Sequence, residues 1–111
     1  KLKLYIDGEL FHSKTIYGEI SNDTGPIHIG HRENSSVGSY QFDGQISNVR
    51  IWDYARTETQ IKNNMDNILS NKDGLLASYP VTEKDNEILK DLTGNYDGVI
   101  YNNPDYYLKD F

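Results

Sequence analysis

The histidines are the first residues whose types and spacing could do chemistry. His28 and His31 lie three residues apart near the end of a short predicted strand, and His12 lies elsewhere in the sequence. A zinc site takes four ligands in most structural cases, and the chain contains no Cys to complete one. We therefore interpret these residues as surface histidines of strands rather than as metal ligands.

Paired carboxylates are the second candidate chemistry, because glycoside hydrolysis uses two of them about 5 to 10 Å apart across one cleft. Glu83, Asp85 and Glu87 alternate in the sequence, but they lie in a turn-rich acidic loop instead of a strand. No nucleophile-elbow motif supports Ser-His-Asp chemistry. The sequence thus predicts that the chain is not an enzyme.

Charge and composition disfavour several classes of partner. Eleven basic residues against seventeen acidic ones give a net charge of −6, whereas nucleic acids and anionic membranes attract clustered Lys and Arg. No apolar run reaches the length of a membrane span. We therefore expect neither nucleic-acid binding nor membrane insertion. Nine Tyr residues favour half-buried strands and carbohydrate-facing surfaces, since Tyr combines an apolar ring with a polar hydroxyl.

The elements that must position these residues are mostly strands. Residues 1–6 alternate between apolar and other side chains, Asp7-Gly8 follows, and residues 9–16 form a second strand-like run. Asp-Gly between two such runs predicts a hairpin with a type I′ turn. We expect further strands at residues 27–30, 40–53, 75–81, 88–92 and 97–101, with a polar loop at 32–39 and an acidic loop at 83–87.

The segment 40–53 is predicted to be a strand pair or one bent strand. Ile46 and Val49 differ in parity and cannot share one face of a regular strand. A bulge or break near Ser47-Asn48 would bring both residues to the same face.

One helix is predicted, at about residues 57–68. Thr57 and Gln60 have the spacing of a capping box. Ile61, Met65, Ile68 and Leu69 then follow at helical spacing. Because the apolar stripe is narrow, we expect a surface helix that packs on the sheet through Ile61, Met65 and Ile68.

Three separated stretches resemble one family. Residues 4–10 read LYIDGEL, residues 42–53 read FDGQISNVRIWD, and GLLASYP at 74–80 is followed by DLTGN at 91–95 and DG at 97–98. These stretches resemble laminin-G-like and pentraxin-like domains, which are concanavalin A-like lectin/glucanase jelly rolls. We call residues 42–53 the signature segment. The resemblance implies an all-β, jelly-roll β-sandwich with one short surface helix.

Domains of this family have further strands upstream of the Asp-Gly hairpin. The resemblance therefore implies that residues 1–111 are the C-terminal portion of a single laminin-G-like domain. We expect the open strand edges to be covered by the remainder of the parent protein or by another subunit, and we do not expect the chain to fold independently. Its apolar strand positions are predicted to share one core: Leu2, Leu4, Ile6, Phe42, Val49, Ile51, Leu75, Ala77 and Tyr79.

By resemblance, the function is non-catalytic, lectin-like binding of glycans or glycoproteins at the cell surface or outside the cell, in an adhesion or receptor-binding role. The predicted ligand-binding residues are Asn34, Tyr40, Tyr96 and Tyr101. Tyr106 and Tyr107 extend the tyrosine cluster near the C-terminal end. The alternative function is a structural or assembly module that contacts other proteins by strand addition.

Two further expectations concern calcium and Trp52. Pentraxins bind calcium through acidic residues in the loop before the signature segment, where this chain offers Glu33 and Asn34, with Asp43 further on, inside the segment. Calcium takes six to eight oxygen ligands, so a site here requires ligands from elsewhere.

Trp52 could be a flat aromatic surface on which a sugar stacks. Its position just before the helix favours packing against that helix instead.

Overall fold

The computed structural model describes residues 1–19, 24–34, 38–81 and 87–101. In these residues, the elements in chain order are β1 (Leu2–Ile6), β2 (Glu9–Lys14), β3 (His31–Asn34), β4 (Gly38–Gln41), β5 (Val49–Trp52), α1 (Glu58–Asn64), β6 (Leu75–Tyr79), β7 (Ile88–Leu89) and β8 (Gly98–Val99). The strands pair two by two into small antiparallel sheets: β1 with β2, β3 with β4, β5 with β6, and β7 with β8. The structure agrees with a partial concanavalin A-like, all-β fold with one short helix.

Within the same residues, no helix has the length and apolar character needed to cross a membrane.

The first hairpin forms as predicted. Asp7 and Gly8 both have positive φ values, 53° and 81°, which is the requirement of a type I′ turn. Ile6 pairs with Glu9 directly beside this turn, and the register shifts between Leu4 and Tyr5. A residue inserted in β2 at this point increases the local twist of the hairpin.

The second hairpin corrects the sequence-based assignment. Residues 27–30 were predicted to be a strand and 32–39 a polar loop, but β3 and β4 occupy His31–Asn34 and Gly38–Gln41 and pair in regular register from His31–Gln41 to Asn34–Gly38. The prediction followed hydrophobicity, whereas an antiparallel ladder is formed by backbone groups and tolerates polar side chains. The hairpin of β3 and β4 was therefore missed because its sequence is polar.

The break in the signature segment is confirmed. β5 begins only at Val49, after Asn48 with a φ of 55°. The Asn48 N–H donates to the carbonyl of Pro80 at 3.3 Å, which extends the pairing of β5 with β6 past the kink. The left-handed conformation of Asn48 therefore changes the direction of the chain before β5, as the different parity of Ile46 and Val49 requires.

The helix begins where the capping box predicts and ends earlier. The Thr57 side chain accepts from the Gln60 N–H, and the Gln60 side chain accepts from the Thr57 N–H. At the other end, Arg50 Nη1 donates to the Asn64 carbonyl at 2.8 Å, and just beyond the helix Asn48 Nδ2 donates to the Asn67 carbonyl at 3.0 Å. Since the last carbonyls of a helix lack intrahelical partners, the signature segment fixes α1 by capping its C-terminal end.

The predicted packing of the helix is only partly correct. Ile61 is half-buried, but Met65 and Ile68 are exposed, and Ile68 lies beyond the end of α1. Leu69 is buried instead. Because the helix ends at Asn64, the later residues no longer follow helical spacing, which explains the incorrect assignment of Ile68.

The core is smaller than predicted. Of the nine expected core residues, Leu75, Ala77 and Tyr79 in β6 are buried, and Val49 and Ile51 in β5 are half-buried. The four others are wrong, since their side chains are 61%, 52%, 48% and 59% exposed: Leu2, Leu4, Ile6 and Phe42. The first hairpin approaches α1 at its turn, where Gly8 lies close to Lys62 and Met65. In the described chain, this contact leaves the apolar face of β1 uncovered.

Candidate ligand-binding groove

A groove of about 460 Å³ opens between the loop that precedes β6 and the turn between β7 and β8. Five of its lining side chains carry hydroxyl, amide or ammonium groups and two are apolar: Ser70, Asn71, Lys72, Leu75, Leu92, Thr93 and Asn95. The groove is thus bounded by two turns that are far apart in sequence.

A buried carboxylate shapes one wall of this groove. Asp91 is 3% exposed. Its Oδ1 accepts from the N–H groups of Ser78 at 2.8 Å and Thr93 at 2.9 Å. Its Oδ2 accepts from the Thr93 hydroxyl at 2.7 Å and from the Tyr96 N–H at 2.9 Å. One side chain therefore binds both β6 and the turn at residues 91–96.

The hydrogen bonds keep Asp91 ionised. Burial raises the pKa of its carboxyl, but donation from Ser78, Thr93 and Tyr96 outweighs this effect and lowers the pKa to about 2. Hydrogen bonds to a carboxylate favour its charged form. At neutral pH the turn therefore closes around a negative charge.

Hydrogen bonds of Asp97 and Tyr79 hold the same turn in place. The Asp97 carboxylate accepts from Lys90 Nζ at 2.8 Å and from the Asp91 N–H at 2.9 Å, and both contacts lower the pKa of Asp97. The Tyr79 hydroxyl donates to the Tyr96 carbonyl at 2.6 Å. Burial, and then the charges of Asp91 and Asp97, raise the pKa of Tyr79. The turn is therefore held rigidly on β6.

These contacts orient the polar groups of the groove. Asn95 Nδ2 donates to Thr93 Oγ1 at 3.2 Å. On the opposite wall, the Leu75 N–H donates to the Lys72 carbonyl at 3.0 Å and closes the turn before β6. Amide and hydroxyl groups both donate and accept hydrogen bonds, so the groove suits a ligand rich in hydroxyl groups. Sequence analysis did not identify this groove, although the DLTGN stretch at 91–95 contains three of the residues that line it.

The predicted ligand-binding residues are only partly associated with the groove. Tyr96 follows the lining residue Asn95 and its side chain is exposed. Tyr40 in β4 and Tyr101 after β8 are also exposed, but neither lines the groove. The side chain of Asn34 lies outside the described part of the structure, as do Tyr106 and Tyr107.

The residues considered for calcium are not assembled by any described contact. Asp43 is exposed in the signature segment, and the side chains of Glu33 and Asn34 lie outside the description. Within the residues that are described, no group of three His, Cys, Asp or Glu side chains could hold a metal ion. The rings of His28 and His31 lie 6.0 Å apart.

One face of Trp52 is already covered. The guanidinium carbon of Arg56 lies 3.7 Å from the centre of the indole ring, and Tyr54 packs edge-on with its ring centre 5.9 Å away. Arg56 Nη1 also donates to the Tyr54 hydroxyl at 2.8 Å. This cation–π arrangement packs Trp52 against the segment that leads into α1 and leaves the covered face closed to a sugar.

Comparison with known families agrees with this architecture. The family model described as the concanavalin A-like lectin/glucanases superfamily matches residues 1–62, more than half of the 111 residues. The chain belongs to this superfamily. The match runs from the first hairpin through the signature segment and into α1, so the residues that cap the helix lie inside it. Searches of curated proteins and of solved structures give no significant match.

Membership in the superfamily does not by itself decide between two kinds of function. The superfamily description covers both lectins, which bind sugars, and glucanases, which cleave them. A shared fold does not determine function, which depends on the residues of the site. The choice between binding and cleavage therefore rests on the chemistry of the groove.

Proposed function

We propose that the chain is a non-catalytic, lectin-like module that binds a glycan in the groove between residues 70–72 and 92–95. One observation carries the proposal: the lining residues Thr93 and Asn95 stand on a turn that is fixed in advance by the Asp91 hydrogen bonds. A site that is ordered before binding loses little conformational entropy when the ligand enters. Such a site is well suited to a weakly bound, hydroxyl-rich ligand.

The lining groups match the chemistry of a sugar. Asn71 and Asn95 offer neutral donors and acceptors for hydroxyl groups, and Thr93, whose hydroxyl donates to Asp91, offers an acceptor. Leu92, which is exposed, offers apolar surface for the C–H face of a pyranose ring, whereas Leu75 is buried. Tyr96 is exposed beside the groove, where its ring is available for stacking.

The groove favours binding over hydrolysis. None of the described residues that line it carries a carboxylate, whereas a glycosidase requires two. Asp91 lies behind the turn, and its pKa of about 2 leaves it unable to donate a proton near neutral pH.

The proposed setting is the cell surface or the extracellular space, with glycans or glycoproteins as partners of a larger adhesive or receptor-binding protein. The net charge of −6 opposes the approach of anionic polymers. This charge favours neutral glycans as ligands over sulfated or sialylated ones.

Binding of the chain to a glycan array, followed by calorimetric titration of the glycans that bind, tests the proposal. Asn95→Ala and Asn71→Ala should each weaken binding by about tenfold, because each removes hydrogen bonds to the ligand. Asn63→Ala is the matched control, since Asn63 is exposed on α1 and does not line the groove. Absence of binding to every glycan, or binding that both groove variants leave unchanged, would contradict the proposal.

Catalysis is tested with the same glycans. We expect no release of reducing ends after prolonged incubation at pH 5 to 8, the range in which glycoside hydrolysis would require one protonated and one ionised carboxyl group. Release that Asn95→Ala abolishes would show that the groove is catalytic.

A further inference from the structure

We propose that Thr93 orients the side-chain amide of Asn95 with Oδ1 turned away from Thr93, so that Asn95 selects ligand groups that donate a hydrogen bond. Thr93 is then a positioning residue, and Asn95 determines specificity by favouring sugar hydroxyl groups over groups that can only accept. The inference rests on the proposed glycan groove, which both residues line. Its basis is the order of hydrogen-bond donors and acceptors from Asp91 to Asn95.

The Thr93 hydroxyl has two neighbours that can only accept. Its Oγ1 lies 2.7 Å from Asp91 Oδ2 and 3.1 Å from the carbonyl oxygen of Leu76. Asp91 is ionised at neutral pH, because its pKa is about 2, and neither a carboxylate nor a carbonyl oxygen has a hydrogen to donate. The single hydrogen of the Thr93 hydroxyl must therefore point at one of these two atoms.

The direction of this hydrogen decides the orientation of Asn95. Asn95 Nδ2 lies 3.2 Å from Thr93 Oγ1. Since the hydroxyl hydrogen is used on the other side, Oγ1 can only accept from Asn95. A flipped amide would set Asn95 Oδ1 against Oγ1 with no hydrogen between the two oxygens, which leaves both acceptors unsatisfied there. The amide nitrogen therefore faces Thr93, and Oδ1 faces away from it.

Thr93 is itself fixed in place by the buried carboxylate. Its N–H donates to Asp91 Oδ1 at 2.9 Å, and its hydroxyl donates to Asp91 Oδ2. The N–H groups of Ser78 and Tyr96 donate to the same two oxygens and hold the carboxylate. A β-branched Thr also has few χ1 rotamers. Asn95 is exposed, and its amide takes its orientation from this fixed hydroxyl.

Two groups of the Asn95 amide are left for a ligand. Oδ1 accepts hydrogen bonds, and the second N–H of Nδ2 donates one. Two neighbouring sugar hydroxyl groups match both, since one hydroxyl can donate to Oδ1 while the other accepts from Nδ2. A carboxylate or a sulfate carries acceptors only and would bring its lone pairs against Oδ1. The ligand class is therefore a neutral glycan with two adjacent free hydroxyl groups.

Proton–nitrogen NMR of the side-chain amides tests the orientation without a ligand. The Asn95 N–H that faces Thr93 should exchange with water more slowly than the side-chain amide of the exposed Asn63. Thr93→Val removes the hydroxyl with little change in volume and should abolish this protection, and Thr93→Ser should restore it. Thr15→Val makes the same change at an exposed position outside the groove and should leave the Asn95 resonances unchanged.

The affinities of the variants separate positioning from direct contact. The probes are the methyl glycosides of D-glucose, D-galactose, D-mannose and L-fucose, titrated into the labelled chain. Thr93→Val should weaken binding by about 3–10-fold, the cost of ordering one side chain on binding, and Thr93→Ser should restore most of the affinity. Thr93→Val combined with Asn95→Ala should bind no more weakly than Asn95→Ala alone, because Thr93 acts through Asn95.

Glycosides in which one hydroxyl is replaced by fluorine test the selection of donors. Fluorine cannot donate a hydrogen bond. Replacement of the hydroxyl that donates to Oδ1 should weaken binding to the wild-type chain by about tenfold, whereas Asn95→Ala should bind the parent and the fluorinated glycoside equally. This comparison needs only the wild-type chain and Asn95→Ala, so it does not depend on the folding of Thr93→Val.

Each possible failure has its own meaning. Equal protection of the Asn95 amide in the wild-type chain and in Thr93→Val contradicts the orientation. Additive losses in the double variant assign Thr93 a structural role instead. If the glycosides bind and Asn95→Ala weakens them, yet no fluorinated derivative loses affinity, the glycan groove stands and the selection of donors is wrong. If no glycoside binds, the proposed function and the selection of hydroxyl groups fail together.

Discussion

The backbone N–H of Ser78 donates a 2.8 Å hydrogen bond to Oδ1 of Asp91, thirteen residues further along the chain. Ser78 lies in β6 and is fully buried, so this contact joins the core strand to the turn that forms one wall of the groove. The return contact, from the Leu92 N–H to the Ser78 carbonyl at 2.9 Å, makes the connection reciprocal. The shape of the groove therefore depends on one ionised carboxylate.

Asp91 should make stability depend on pH in the acid range. Its pKa is about 2 in the folded chain against an ordinary value of 3.8. Because the folded value is the lower one, ionised Asp91 stabilises the fold above about pH 4, and this stabilisation disappears as the pH falls from about 4 to about 2. The shift corresponds to about 2 kcal/mol. Urea denaturation at several pH values measures the effect.

Asp91→Asn should lower the free energy of unfolding at pH 7 by about 2–4 kcal/mol, because the amide leaves buried N–H donors without an acceptor. The dependence on pH between about 2 and 4 should become shallower. Asp66→Asn, at an exposed carboxylate, serves as the control and should change the free energy little. Equal effects of the two substitutions would contradict the role of Asp91.

Substitutions at Gly74 and Gly94 distinguish the cost of a steric clash from the cost of a strained backbone. Their φ values are nearly equal, +78° and +79°. A Cβ on Gly74 would collide with the ring of Tyr54 and lie 2.5 Å from Asp53 Oδ1, whereas a Cβ on Gly94 would meet nothing within 4 Å. Gly94→Ala should destabilise by about 1–2 kcal/mol, the cost of a left-handed residue. Gly74→Ala should cost about 1–3 kcal/mol more through overpacking.

Thermal and urea unfolding of both glycine variants check this difference. Similar losses of stability would mean that the approach of Tyr54 and Asp53 to Gly74 imposes no steric requirement.

Thr57→Ala should destabilise the chain by about 0.5–2 kcal/mol through loss of the N-cap. The Thr57 hydroxyl accepts from the Gln60 N–H at 3.2 Å, and without it that donor loses its partner. Thr59→Ala, at an exposed position within α1, is the matched control. Since Ala has the higher helix propensity, this control should be neutral or slightly stabilising. Urea midpoints measure both, and a loss of stability in Thr59→Ala alone would refute the assignment of the cap.

Arg56→Ala should expose the face of Trp52 that the guanidinium covers. Trp52 is the single tryptophan of the chain, so its fluorescence emission should move to longer wavelength, with a loss of stability of about 0.5–1 kcal/mol. Lys62→Ala removes an exposed cation that pairs with Glu9 and should leave the emission unchanged.

The same fluorescence locates ligand binding. Since Trp52 does not line the groove, a glycan bound there should leave the Trp52 emission unaltered. A large change on glycan addition would place the ligand at Trp52 instead.

Local sequence patterns correctly predicted the parts of the fold that depend only on residues close together in the sequence. Asp7-Gly8 predicted a type I′ turn because both positions adopt positive φ at low cost. Thr57 and Gln60 predicted the helix start because capping involves only residues three apart. The parity of Ile46 and Val49 likewise required the break before β5, and the structure realises it at Asn48.

The sequence by itself therefore determined the all-β class, the hairpin turn, the helix start and the family. Only the tertiary structure decided which apolar residues are buried, because alternation assigns Leu4 and Ala77 to a face but does not say whether another element covers that face. It also decided the role of Asp91, whose donors come from β6 and from its own turn. A buried carboxylate is defined by partners brought together in space, and spacing along the chain does not reveal them.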